Sequence, residues 1–333
     1  MDKTKIAVIG LGGIAQLVHL PNLSKLENVR ISAVAELNKN RLTTIADKFN
    51  VTERFTDYNE MLAKAECDAV IVATPTSSHK EISIACLNAK KHVLVEKPLA
   101  RSFDEAKQIA AAAKKNKKNL MVGMNLRFRP DSMILKSLIN SGEIGEPFYI
   151  KCGWIRRQSS EGKWFTKKEE AGGGVIIDLG ILLLDLSLWL IDYPEIETIS
   201  AQCYYQNSKQ VEDSSMSFIR CKNSSLIVME TSWSFAVEKD SFYLTVIGTK
   251  GNASLNPIRI LKKLENNFID LSPSQNENSL NLFKKSYMNE LRAFISCVRG
   301  VSPLISSGIE AVSRMKLVDA MYRSALKKME VKV

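Results

Sequence analysis

The sequence predicts an α/β protein in two parts: an N-terminal doubly wound parallel sheet, then an α+β region whose sheet is mostly antiparallel. Three observations predict it. The first 123 residues alternate short apolar runs with amphipathic stretches, the pattern of a parallel sheet covered on both faces. A glycine-rich turn joins the first apolar run to the first amphipathic stretch. Beyond residue 124, alternating strand-like runs follow one another closely, as in an antiparallel sheet. The length of 333 residues suits two domains of about 150 residues each. We divide the chain into 1–123 and 124–333.

In order, Lys5–Gly10, Arg30–Ala35, Asp68–Ala73, His92–Val95 and Leu120–Gly123 read as buried strands. Helical spacing fills Gly13–Lys25, Lys39–Phe49, Ser77–Asn88 and Phe103–Lys117 between them. Pro130 then opens a helix to Asn140, and Gly142–Pro147 is a turn. Phe148–Arg156, Thr198–Tyr205, Ser215–Cys221, Leu226–Trp233 and Phe242–Ile247 alternate as strands. Helices are expected at Ile181–Ile191, Phe283–Arg299 and Gly308–Lys328, and polar Asn266–Ser279 reads as a surface loop.

Composition narrows the function classes. With 45% apolar and 25% charged residues the chain is globular, and it has no run of eighteen apolar residues that would cross a membrane. The apolar run after the first lysines is cut by Gly10, Gly12 and Gly13, so it reads as strand and turn rather than a leader. Six scattered cysteines without C-x-x-C spacing, and only three histidines (His19, His79, His92), predict no metal site and free thiols in a cytoplasmic protein. The net charge of +10 raises nucleic acid as a partner. The densest basic run, Lys114–Lys118, ends a helix where the macrodipole favours cations, and no nucleic-acid motif accompanies it, so we expect none.

Gly10-Leu11-Gly12-Gly13-Ile14-Ala15 follows the first strand and opens a helix, giving G-x-G-x-x-A in strand–turn–helix context. Gly10 permits the tight turn, Gly12 admits a pyrophosphate to the backbone, and Ala15 lets helix and strand pack closely. Amides at the helix start, including those of Gly13 and Ile14, then face the anion. Glu36 ends the second strand, 21 residues after Ala15, where a carboxylate accepts ribose hydroxyls and favours NAD. Lys39 and Arg41 stand close enough in sequence to receive a 2′-phosphate, which leaves NADP open.

Three further segments carry a resemblance: Ala73-Thr74-Pro75 with His79 and Val95-Glu96-Lys97-Pro98-Leu99; Gly123-Met124-Asn125-Leu126-Arg127-Phe128-Arg129-Pro130; and Gly172-Gly173-Gly174-Val175-Ile176-Ile177-Asp178-Leu179-Gly180. Together they resemble the glucose–fructose oxidoreductase / inositol dehydrogenase / MocA family over nearly the whole chain. The resemblance implies an N-terminal Rossmann domain, a C-terminal α/β domain with a large open sheet, and bound NAD or NADP. It also implies a sugar, cyclitol or derivative as substrate, and a homodimer or homotetramer. Thr74, Pro75, His79 and Asn125 would then join the cofactor site, with Glu96 and Lys97 near the nicotinamide and a cis bond before Pro98. A lysine beside a cationic ring is pushed towards its neutral form, so Lys97 could relay the hydroxyl proton, supported by Asp178.

The chain departs from the family where G-G-G-x-x-x-D-x-x-x-H supplies a histidine base, because Leu182 stands there and no histidine follows His92. Leucine accepts no proton. Either Lys97 handles it, or a tyrosine or substrate group does, or the chain binds NAD(H) and a sugar as a weakly active regulator. Lys151, Arg156, Arg157, Lys163, Lys167 and Lys168, with Arg127 and Arg129, suggest an anionic or nucleotide-linked sugar, balanced by Glu161, Glu169 and Glu170. A solvated basic loop explains the same residues equally well. Trp164 could stack on a sugar or the nicotinamide, or pack between domains.

Overall fold

The structure, a computed structural model, describes residues 2–157, 164–265, 267–273 and 277–333. Contacts divide it into two compact units, Met1–Asn125 with Tyr287–Ser313, and Leu126–Ser286 with Arg314–Val333. The segment Tyr287–Ser313 thus packs with the first unit, beyond the single division at residue 123. It covers an open sheet edge: Val122 N donates to Ser306 O at 2.9 Å, and Met121 bridges Ser307.

The first unit is built on β1 (Thr4–Ile9), β2 (Val29–Ala35), β3 (Glu53–Phe55), β4 (Ala69–Val72), β5 (His92–Val95) and β6 (Leu120–Val122). They form a parallel sheet in the order β3-β2-β1-β4-β5-β6. Strand order reverses between β1 and β4, and a crevice opens outside the carboxyl ends at such a switch point. All four residues of β4 are buried, which is why the run lacks alternation. Strand β3 and the helix Tyr58–Lys64 escaped the sequence reading. Two of the three β3 residues are exposed, so no apolar run marks it.

The second unit holds β7 (Pro147–Ile155), β8 (Ile196–Tyr204), β9 (Ser214–Cys221), β10 (Leu226–Ser232), β11 (Ser241–Gly248), β12 (Gly251–Leu255), β13 (Arg259–Leu264), β14 (Asn267–Asp270) and β15 (Val331–Lys332). Their order is β14-β13-β12-β11-β7-β10-β9-β8-β15, antiparallel except for the pair β7 and β10. The expected loop at Asn266–Ser279 is corrected in part. Asn267–Asp270 pairs with β13, and Ser279 already opens a helix, while 266 and 274–276 lie outside the described residues. All four β14 residues are exposed, so backbone pairing rather than burial orders them. The helical stretch Lys168–Leu190 is long and apolar enough to cross a membrane, yet its apolar window is 89% buried inside the protein. It is a core helix.

Candidate active site

Four sequence-predicted positions follow the carboxyl ends of neighbouring strands: Gly10 after β1, Glu36 after β2, Thr74-Pro75 after β4 and Glu96-Lys97 after β5. Gly10 sits at φ +88°, and a Cβ there would lie 2.7 Å from both Ala73 O and Thr74 Cγ2. A Cβ on Gly12 or Gly13 would meet nothing within 4 Å, so the backbone borders open space. Gln16 N donates to Gly12 O at 3.0 Å, and the amides of the helix's first turn have no intrahelical partner. Ala15 is fully buried. Glu36 accepts Leu11 N and Asn38 N at 2.9 Å each and meets Arg41 Nη1 at 3.4 Å. The carboxylate thus ties the glycine turn to the end of β2 and holds Arg41 back. Open backbone, free amides and an acidic group at this switch point fit a dinucleotide with an unmodified ribose.

Beyond β5 the Lys97–Pro98 bond is cis, as the resemblance implies. Lys97 N donates to Glu96 Oε2 at 3.2 Å, and Glu96 Oε1 meets His19 Nε2 at 2.7 Å. Burial pushes the Glu96 carboxyl up, but the His19 hydrogen bond and the charges of His19 and Lys97 outweigh it and leave the group below its ordinary value. Glu96 is therefore a fixed anion beside Lys97. His19 was not among the expected site residues. Its signal was a lone polar residue in Leu17-Val18-His19-Leu20, on a π-helical turn, Ala15–His19, of the kind that often marks functional sites. His79, expected at the cofactor, is 1% exposed with Nδ1 2.8 Å from Pro98 O and Nε2 2.9 Å from Thr74 O. Both ring nitrogens face backbone carbonyls of these two loops, so a neutral ring donates to one of them and presents no nitrogen to a ligand.

In the second unit Asp178 sits on another π-helical turn, Ile176–Gly180, and its Oδ2 accepts Trp233 Nε1 at 3.1 Å. Backbone conformation demands the first of the three glycines before it and packing the other two. Gly172 has φ +88°, a Cβ on Gly173 would fall 2.0 Å from Tyr322 Oη, and one on Gly174 would fall 2.0 Å from Glu212 O. Glu212, which sequence reasoning missed, is 2% exposed and caps this helix start. It accepts Gly174 N and Ile176 N at 3.0 Å and Tyr322 Oη–H at 2.8 Å. Burial pushes its carboxyl up against the pull of those donors. Trp164, 36% exposed, stands edge-on to Phe165 at 6.0 Å, and Phe165 packs on Trp233 at 5.7 Å. An aromatic ladder thus runs from the surface to the tryptophan that holds Asp178.

Comparison with known proteins assigns both halves. Residues 4–124 match "Oxidoreductase family, NAD-binding Rossmann fold", and residues 136–333 match the C-terminal alpha/beta domain of the same family. The chain belongs to the Gfo/Idh/MocA oxidoreductase family. It is 27% identical to D-glucoside 3-dehydrogenase of Escherichia coli over 96% of this chain and 95% of that protein. It is 26% identical to myo-inositol 2-dehydrogenase of Thermotoga maritima, covering 99% and 98%. Among solved structures, levoglucosan dehydrogenase in complex with NADH and levoglucosan superposes with a TM-score of 0.90 over all of both chains at 20% identity, a likeness of fold. As a member of this family the protein is an NAD-dependent oxidoreductase.

Against the family's pattern, several expected substrate residues turn out to be structural. Arg127 is 2% exposed; its Nε and Nη2 grip Asp185 at 2.7 and 2.6 Å, and Nη2 also reaches the Tyr193 hydroxyl. Arg129 closes on Asp131 at 3.0 and 2.6 Å. Both guanidiniums are engaged by buried carboxylates, Arg129 by Asp131 and Arg127 by an Asp185 that it shares with Arg314. Asn125 is buried at the start of a short 3-10 turn. Leu182 is 5% exposed within the apolar helix Ile181–Leu190, so leucine there is packed core. Arg156 is exposed and lies 5.2 Å over the Trp154 ring. Arg157 is exposed too, Lys167 pairs with Glu170, and Glu161 and Lys163 lie outside the described residues. Among the described residues no group of three or more His, Cys, Asp or Glu side chains could hold a metal.

Proposed function

We propose that the protein oxidises a secondary hydroxyl of a neutral sugar or cyclitol to the ketone, or runs the reverse, with Lys97 as the proton-handling group. The observation that carries this is Lys97 at the carboxyl end of β5, beside a Glu96 anion fixed by His19. NAD held at the glycine turn and Glu36 would supply the hydride acceptor, or in its reduced form the donor. Lys97 Nζ takes the hydroxyl proton in oxidation and gives it back in reduction, while Glu96 keeps a compensating charge beside the ammonium. Within the second unit, Trp233 orients Asp178, and Trp164 and Arg156 offer an aromatic face and a charge. The sugar-like class follows from relatives that act on glucosides and inositols. Preference for a neutral substrate follows from Arg127 and Arg129 being paired internally.

A screen of glucosides, cyclitols and sugar acids at the NADH absorbance tests the reaction. Lys97→Ala should lower kcat by more than about 10²-fold, the usual scale for a general acid–base group, with NAD affinity little changed. Near-normal turnover in that variant would remove Lys97 from this role. A second reading, a regulator that binds NAD(H) without efficient turnover, is favoured by Leu182; it takes precedence if the parent protein turns over no sugar-like compound. We further propose a cytoplasmic homodimer or homotetramer. Six buried, unbridged thiols favour a reducing compartment, and β9 exposes Met216 and Phe218 at 44% and 37%. A monomer mass by light scattering at micromolar concentration would overturn the assembly.

A further inference from the structure

At the amino ends of β1, β4, β5 and β6, opposite the dinucleotide crevice, the first unit carries a cavity of about 260 Å³. Lys90, Lys118, Arg299 and His92 line it, with Asp68 as the single carboxylate, so the lining charge is +2 with the imidazole neutral. Helix ends account for part of this basicity. Lys90 Nζ donates to Asn116 Oδ1 at 2.7 Å and neighbouring Lys91 Nζ to Cys67 O at 2.8 Å.

Helix ends do not account for Lys118 and His92. Asn119 N, an obligate donor, lies 3.1 Å from His92 Nδ1, and the Lys118 ammonium lies 3.5 Å from His92 Nε2. A neutral imidazole carries one proton, so it cannot accept from both neighbours. The closer backbone amide takes Nδ1, which places the proton on Nε2. Two donors, Nε2–H and the Lys118 ammonium, then converge, and among the described residues no acceptor lies between them. Asp68 does not fill the gap with Oδ2, which accepts Lys5 N at 2.8 Å. Burial, and then the Lys118 charge, push the imidazole below its ordinary value, as expected for a ring facing an ammonium.

We propose that this cavity binds a phosphate group, free or carried by a small phosphomonoester, with Lys118 and His92 Nε2–H sharing one oxygen and Lys90 facing another. A phosphate presents three acceptor oxygens and a charge of about −1.5 to −2, which serves the two converging donors and Lys90 and opposes the +2 lining. A carboxylate matches neither as well. The site does not depend on which alcohol the enzyme oxidises.

The test reads His92 in the full-length protein by proton NMR, with saturating NAD to fill the glycine turn and ionic strength held constant. The His92→Gln variant assigns the resonance. Sodium phosphate should shift it saturably and raise the imidazole's titration midpoint. Lys118→Ala should weaken that response about tenfold or more, since a charge-assisted hydrogen bond is lost, while NAD affinity stays unchanged. Lys90→Ala, at an exposed position, should weaken it too and serves if the first variant folds poorly. Tighter saturation by glycerol 3-phosphate would identify an organic phosphate as the source; tighter saturation by the inorganic ion would identify free phosphate. A shift that does not saturate, that sodium chloride reproduces, or that survives both lysine substitutions overturns the proposal.

Discussion

Replacing Glu36 with serine should move the cofactor preference from NAD towards NADP. The carboxylate is 9% exposed, accepts Leu11 N and Asn38 N at 2.9 Å, and meets Arg41 at 3.4 Å. A 2′-phosphate about 5 Å from it, with a charge of about −1.5 to −2 and an effective dielectric constant of about 40, is opposed by about 3 kcal/mol. Losing the ribose hydroxyls' charge-assisted bonds weakens NAD by about 1.5 kcal/mol. The two effects add to between about 4 and 5 kcal/mol, or about 10³-fold in the ratio of the two affinities. Arg41, released from Glu36, adds to the gain for NADP. Truncation also deprives two amides of a partner, which water replaces in part, so stability should fall by about 2 kcal/mol. Calorimetry with each cofactor on parent and variant, beside a thermal melt, measures all of these quantities. A parent that prefers NADP, or a folded variant whose ratio moves less than about tenfold, would refute the argument.

Gly174→Ala should destabilise the second unit by at least about 3 kcal/mol, because the new Cβ would stand 2.0 Å from the Glu212 carbonyl oxygen and only backbone can yield. A urea midpoint showing a loss under about 1 kcal/mol would contradict this. His79 should make the protein acid-sensitive. Burial holds its imidazole below the ordinary 6.5 against the pull of two backbone carbonyls and Glu96, so the neutral ring belongs to the native state. Its contribution to stability is present above about pH 6.5, where the unfolded imidazole is also neutral, and is lost as pH falls through the lower native value. His79→Gln should flatten the decline in urea midpoint between about pH 7 and pH 5; an unchanged slope would assign the decline to other groups.

The parallel sheet, the glycine turn and Glu36 were legible in the sequence because each rests on a local requirement. Buried parallel strands need unbroken apolar runs, a tight phosphate turn needs glycine, and the acidic group must follow the second strand at a short, fixed spacing. Tertiary structure decided what the remaining polar residues do, since a residue's type does not reveal its partner. Arg127 and Arg129 read as anion receptors until Asp185 and Asp131 appear against them. Two of the three glycines before Asp178, Gly173 and Gly174, are explained by Tyr322 and Glu212, which lie far along the chain and pack against their backbone. His19 becomes part of the site only when the fold brings its helix against the end of β5, 77 residues later, where it fixes the carboxylate beside Lys97. Composition and spacing determine which backbone can form; long-range packing determines which of its charges are neutralised and which remain for a ligand.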